Sequence, residues 1–365
     1  MDRIKTLLFI FIPIIVIGCQ NRNESPNNIV AKASSEADYA IMEVFFATDR
    51  KQDDMSNMKS YFGAERGVIS YGKTKVSIPR DHRMGELESP SIWRFEFSED
   101  AKDHIVLLAI EPLKKEIYFD LLTKEIGSSS TNNAFIFVHG YNVTFEDAAR
   151  RTAQMSYDLG FDGAPIFYSW PSHGSIPKYT FDEANIQWAE NNIKNFLADV
   201  LTQTSAENIY LIAHSMGNRA LTRAYINVVK ENPSVRSRIR EVILAAPDID
   251  AEVFKREIAP ALVEAKRPIT LYASSKDVPL NASKLIHGGY PRAGDTGENI
   301  IVFDGIETID ATSVETGFLG HSYYADERSL IADMFYIIHN NLRAKERAGL
   351  LEQVSDDGVY WIFRQ

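Results

Sequence analysis

Between residues 134 and 303, short and nearly uncharged apolar runs take turns with stretches whose apolar residues recur every three to four positions. The runs at 134–138, 165–169, 209–213, 241–245, 269–273 and 300–303 have the length and composition of strands. Helical periodicity marks 145–159, 182–201, 216–230 and 329–342; in the second, Ile186, Ala189, Ile193, Phe196, Leu197 and Val200 share one face. A strand apolar on both sides must be covered on both sides. The pattern therefore predicts an α/β fold, a mostly parallel sheet with helices on both faces. In such sheets the chemistry gathers at the carboxyl ends of the strands.

Ahead of this core, residues 41–127 read as a β-rich portion, with apolar runs at 44–48, 74–78 and 104–110, the last stopping before Pro112. The core itself is expected over 128–346, with 347–365 as a C-terminal extension. The first 18 residues read as an address: a weakly positive start, then an apolar run from Leu7 to Gly18. At about 1.5 Å per helical residue that run is short for a hydrocarbon core of about 30 Å. It ends in Val16-Ile17-Gly18-Cys19, which resembles the lipobox of bacterial lipoproteins. By that resemblance Cys19 carries lipid and becomes the mature N-terminus. Gln20 in the next position implies the outer membrane, on its periplasmic face. Residues 19–40, rich in Asn, Ser and Ala, would form a flexible tether.

Cys19 is the one cysteine of 365 residues, which excludes an intrachain disulfide and a cysteine-based zinc cluster. A net charge of −11 without long basic runs argues against nucleic acid as a partner. No His-Glu-x-x-His, other ligand spacing or phosphate loop stands out, so neither metal nor cofactor is expected.

The strand-like run 209–213 passes through Ala213-His214-Ser215-Met216-Gly217 directly into a helical pattern. This resembles the nucleophile elbow of α/β-hydrolases, small-x-Ser-x-Gly, with Ala213 in the first small position. A serine on so tight a turn needs small residues two places away on each side, and Ala213 and Gly217 meet that need. The helix N-terminus beneath Ser215 offers free N–H groups, the first from Met216, to a developing oxyanion. The run 134–138 ends in His139-Gly140-Tyr141-Asn142. In α/β-hydrolases this position supplies the second oxyanion N–H, here from Tyr141 or Asn142. His139 and His214 read as supporting residues near the pocket rather than as bases.

A serine nucleophile needs a base, and the base a carboxylate. Hydrolases of this fold order them Ser, then Asp or Glu, then His. Asp277, in the loop after the second strand beyond the elbow strand, is the expected acid. Asp248, one strand earlier, is the alternative; it and Asp250 could equally cap a helix from Ala251. Of the histidines that follow, His321 stands between the last predicted strand and the last helix, where the fold places its base.

Taken together, Phe46-Ala47-Thr48-Asp49-Arg50, His139–Asn142, Tyr168-Ser169-Trp170-Pro171-Ser172, Ala213–Asn218, Ala246–Asp250, Ser274–Asp277 and His321–Tyr324 resemble the bacterial DUF900-type α/β-hydrolases. The resemblance implies a serine hydrolase of esterase or lipase type, with small-molecule or lipid esters as substrates and Tyr168 and Trp170 near the pocket. Acyl transfer or phospholipase action on the same triad, and a non-catalytic binding protein of the same fold, remain open alternatives. The sequence is silent on oligomeric state.

Overall fold

The computed structural model describes residues 38–364 apart from 92–95, 97, 174–177 and 315–327. The proposed lipidation site Cys19 and the expected base His321 lie outside the described residues. Eleven strands form one sheet: β1 (Tyr39–Gln52), β2 (Phe62–Pro79), β3 (Leu107–Leu113), β4 (Asn133–Val138), β5 (Ala164–Ser169), β6 (Asn208–His214), β7 (Ile239–Ala245), β8 (Ile269–Ala273), β9 (Glu307–Asp310), β10 (Leu350–Ser355) and β11 (Gly358–Phe363). Their order is β10-β11-β9-β8-β7-β6-β4-β5-β1-β2-β3. From β11 to β1 all neighbours are parallel; β2, β3 and β10 pair antiparallel. This is the α/β-hydrolase fold expected from the sequence, with antiparallel strands added by the N-terminal portion.

Both faces of the sheet are buried, which is why the central strands read as unbroken apolar runs. Successive side chains enter opposite layers: Phe45, Ile136 and Val138 pack on one side, Phe46, Phe135 and Phe137 on the other. The first layer is covered by α1 (Lys115–Ser128), α3 (Tyr179–Gln203), α4 (Gly217–Glu231) and a helical stretch that starts as α5 (Ala251–Val253), passes through a π-helical turn and ends as α6 (Ala259–Glu264). The second is covered by α2 (Phe145–Asp158) and α8 (Arg328–Asn340). At its centre Phe46 meets Phe62, Phe145 and Phe167 with ring centroids 5.6, 5.0 and 5.9 Å away. Helix α2 begins with a capping box between Thr144 and Asp147, which fixes where the chain leaves the loop after β4.

Four local expectations change. Residues 300–303 form no strand. Ile301 is buried, but the chain turns at Gly305 (φ 89°) and the strand proper is β9, four residues farther on. Residues 115–128 form helix α1, whose Tyr118, Phe119, Leu122 and Ile126 are buried at helical spacing. Strand β3 runs through Pro112; as the edge strand it has no further partner for the missing N–H. Residues 350–363 form a hairpin that joins the sheet through β11, which pairs with β9.

The N-terminal portion is tied to α2 by a buried charge cluster. The His82 ring lies between Glu88, 2.8 Å from Nδ1, and Asp158, 2.7 Å from Nε2. Burial works against its charge, but the bonds to Asp158 and Glu88 outweigh it and raise its pKa to about 9. A raised pKa in the folded state contributes stability that is complete below the unfolded value near 6.5 and is lost as pH rises through about 9. Thermal denaturation followed from pH 6 to 10 is expected to show this loss, on the order of 3 kcal/mol in all. In His82→Gln the slope between pH 6.5 and 9 should flatten; an unchanged slope would assign the pH dependence to other groups.

Candidate active site

The parallel register brings four loops to one edge of the sheet. Val138 is level with Ala213, His214 with Ala245, and Ala273 with Asp310. The residues that follow β4, β6, β7 and β8 therefore share the carboxyl edge: His139–Asn142, Ser215, Asp248 and Asp277.

Ser215 follows the last residue of β6 and has φ 45°, a left-handed conformation that costs a non-glycine residue about 1–3 kcal/mol. Its surroundings hold it there. Its N–H donates to Ala245 O (2.9 Å), and its carbonyl accepts from Asp248 N–H (3.2 Å) and from both the backbone and side-chain N–H of Asn218 (3.1 and 3.0 Å). The turn also demands close approach. A Cβ on Gly217 would lie 2.4 Å from His139 O, and one on Gly140 would lie 3.0 Å from Ser215 Cβ and 2.9 Å from His214 Nδ1. The spacing of Ala213, Ser215 and Gly217 in the sequence has this geometric cause.

Of the expected oxyanion donors, Asn142 is already engaged: its N–H donates to Asp182 Oδ2 at 3.3 Å. The N–H groups of Met216 and Tyr141 have no partner among the described residues. Asp182, buried at the start of α3, also accepts from Ser172 Oγ (2.6 Å) and from the backbone N–H of His173 (2.9 Å), so it stitches the loop after β4 to that after β5.

The two candidate acids sit in opposite environments. Both oxygens of Asp248 are saturated: Oδ1 accepts from Ser283 Oγ (2.6 Å) and Arg292 Nε (2.8 Å), Oδ2 from Arg219 Nη2 (3.1 Å) and from the Tyr179 hydroxyl. Burial opposes its charge, but Arg219 and Arg292 hold its pKa below the usual carboxylate value. Asp277 caps α7 (Val278–Ile286) by accepting from Leu280 N–H at 2.7 Å, its one donor among the described residues. Burial, abetted by Asp248 and Asp295, pushes it up to about 6. Among the described residues no cation pairs with this carboxylate. Asp250 accepts from Glu252 and Val253 N–H as the cap of α5.

Neither supporting histidine has the character of a base. His214 is buried and its pKa is lowered to about 3 by burial and by Arg151, too weak a proton acceptor near neutrality. His139 is buried, stacked on Trp170 at 5.1 Å between centroids, and turned toward Gly140 O and Ser169. Tyr168 and Trp170, expected near the pocket, are wholly buried instead. Tyr168 packs on Phe196, and Trp170 Nε1 donates to His139 O at 2.8 Å. Aromatic residues at the end of a sheet strand were equally compatible with core, and core is where they lie.

Both ring nitrogens of His287 are engaged, Nε2 2.9 Å from Glu183 and Nδ1 2.7 Å from Ser283 O. It lines a cleft of about 770 Å³ along α3 and α4, together with Arg219, Arg223, Tyr290 and Arg292; Ser215 does not line it. Its arginines are paired, Arg219 with Glu183, Arg223 with Glu190 and Arg292 with Asp248. Among the described residues no group of three or more His, Cys, Asp or Glu is arranged to hold a metal ion.

Sequence reasoning left Arg50, Ser169, Asp182, Tyr179, Arg219 and Arg292 without roles. A signal existed for Arg50: the charged pair Asp49-Arg50 directly after the apolar run 44–48, at the carboxyl edge of the sheet.

The contrast between the two aspartates is measurable. Asp248→Asn leaves Arg219 and Arg292 around an uncharged group and should cost about 3–5 kcal/mol, a fall in Tm on the order of 10 °C. Asp277→Asn keeps a capping side chain and removes a charge that burial disfavours. Its Tm at pH 7.5 is expected to be unchanged or higher. Equal losses in the two variants would refute the contrast.

No curated protein matches the chain. Among solved structures, a chain taken for a cell surface hydrolase of Lactobacillus plantarum WCFS1 is 14% identical over 58% of this chain and 94% of its own, with TM-score 0.35. An inhibited esterase B of Lactobacillus rhamnosis is 12% identical over 70% and 87% (TM-score 0.33), and the Pyrobaculum calidifontis esterase 12% over 74% and 81% (TM-score 0.32). Residues 116–339 match the model of the α/β-hydrolases of unknown function designated DUF900, and the chain belongs to that family.

Proposed function

We propose that this protein is a serine hydrolase acting on carboxylic esters through an acyl-enzyme. The observation that carries the reading is the strained turn at Ser215, held at positive φ between Ala213 and Gly217 with the Gly140 loop against it. Such strain is kept where a side chain must be presented at a fixed point.

In this reading His321 removes the proton from Ser215 Oγ as the oxygen attacks the ester carbonyl. Asp277 accepts a hydrogen bond from the imidazole and stabilises the imidazolium, a cation that no described residue supplies to its buried carboxylate. The N–H groups of Met216 and Tyr141 receive the oxyanion, each worth about 3–4 kcal/mol in the transition state. Collapse of the tetrahedral adduct expels the alcohol, protonated by His321, and water then releases the acid by the same steps. Asp248, already saturated, serves as a structural anion rather than as the partner of His321. We further propose that lipid on Cys19 holds the enzyme at the outer membrane, on its periplasmic face. Each buried CH₂ of an acyl chain adds about 0.8 kcal/mol, so two or more chains give a stable anchor.

Treatment of the domain from residue 38 with a fluorophosphonate probe should label Ser215. Labelling and p-nitrophenyl butyrate hydrolysis are expected to vanish in folded Ser215→Ala and to fall about 10³-fold or more in His321→Ala. Asp277→Asn should lower kcat about 10²- to 10⁴-fold, whereas Asp248→Asn assayed below its Tm should keep most of its rate per folded molecule. A folded wild type that neither labels nor hydrolyses the ester would overturn the reading in favour of a binding protein. For the anchor, the full chain expressed in a Gram-negative host should incorporate labelled palmitate, and Cys19→Ser should not; incorporation by both would remove Cys19 from that role.

A further inference from the structure

Arg50, just past the apolar part of β1, is 2% exposed, and among the described residues no carboxylate lies within ion-pairing distance of it. Its charge is met by neutral acceptors. Nη1 donates to Gly63 O (3.1 Å) and Ser172 O (2.8 Å), Nη2 to Val143 O (2.7 Å) and, at 3.5 Å, toward His139 Nε2, and Nε to Ser169 Oγ (2.8 Å). Burying a guanidinium with no carboxylate in direct contact is expensive: burial lowers its pKa to about 10, only partly offset by the more distant charges of Asp182, Asp49 and Asp147. A mere staple between loops would not need a charge.

The hydrogen-bond directions beyond Arg50 can be worked out from donor inventories. His139 Nδ1 lies 2.7 Å from Gly140 O, which can only accept, so Nδ1 carries the proton. Burial and the neighbouring Arg50 hold this imidazole neutral, which leaves Nε2 as an acceptor. Nε2 is 3.2 Å from Ser169 Oγ, whose lone pair already receives Arg50 Nε–H; the Ser169 hydroxyl proton therefore points to Nε2. The result is one chain of donors: Arg50 Nε–H to Ser169, Ser169 O–H to His139, His139 Nδ1–H to Gly140 O. The stack on Trp170, and the bond from Trp170 Nε1 to His139 O, keep the ring from turning.

The chain ends on a peptide unit of consequence. The carbonyl of Gly140 and the N–H of Tyr141 belong to the same trans peptide, so they point in opposite directions. Drawing Gly140 O onto the His139 ring turns Tyr141 N–H the other way, and this segment is the one packed against Ser215. We propose that Arg50 is a positioning residue for the oxyanion hole, acting through Ser169 and His139 to hold the Gly140–Tyr141 peptide with its N–H toward the acyl oxygen on Ser215. This rests on the serine-hydrolase reading above. The charge at the head of the chain polarises each bond in turn, a service no neutral donor in that place would give.

The test compares an oxygen ester with its thionoester, in which sulfur replaces the carbonyl oxygen and takes hydrogen bonds from the hole poorly. Ser169→Ala, which removes one hydroxyl, should lower kcat on the oxygen ester about ten- to hundredfold with KM within twofold, and lower the thionoester rate less than threefold. Arg50→Gln, which removes the charge, should behave alike where it folds, and the double variant should lose no more than the worse single one. Parallel losses on both esters, or a Ser169→Ala variant with unchanged kcat, would overturn the proposal while leaving the hydrolase reading intact. A wild type active on neither ester would overturn both.

Discussion

Everything at the carboxyl edge depends on how closely the helix after the elbow approaches the strand beside it. With 2.4 Å between His139 O and the place a Gly217 Cβ would take, and 3.0 Å between Ser215 Cβ and that of Gly140, two loops meet with no room for side chains. That contact holds Ser215 in its left-handed conformation, which is sustained because the N–H and the carbonyl of Ser215 are both engaged, by Ala245, Asp248 and Asn218. Strain at one residue is sustained by many ordinary bonds around it.

Charges are arranged beneath that contact in an unequal way. Asp248 has two arginines, a tyrosine and a serine, and is a satisfied anion joining β7, α3, α4 and α7. Asp277, one strand away and equally buried, has a single backbone donor among the described residues and is held near pH 6 by burial. Arg50 shows the converse, a buried cation met by dipoles. Identical residue types thus acquire different chemistry from their surroundings: a saturated carboxylate builds structure, and an unsaturated one is available for a partner.

Much of this could be read from the chain. Unbroken apolar runs announced buried parallel strands, and Ala213-x-Ser215-x-Gly217 announced the elbow, because each pattern follows from a local steric or solvation demand. The readings that changed were of another kind. Residues 300–303 carry enough apolar side chains for a strand, yet Ile301 is buried from a loop. Helix α1 has helical spacing, but it stands in a portion otherwise rich in strands. Tyr168 and Trp170 have aromatic rings suited equally to a pocket wall or a core, and packing assigned them to the core.

What the sequence determined by itself, then, was the layered α/β architecture, the place of Ser215 on its turn, and the short list of candidate acids. These depend on periodicity and on neighbours within a few residues. Tertiary structure alone decided that, among the described residues, Asp248 is saturated and Asp277 is not, that Asn142 N–H is engaged and Tyr141 N–H is not, and that Arg50 lies behind His139. Each of those outcomes turns on contacts between residues 30 to more than 100 positions apart, such as Arg50 with Ser169 and Asp248 with Tyr179. Such distances carry no periodic signal; only the register of the folded sheet brings those side chains within hydrogen-bond reach.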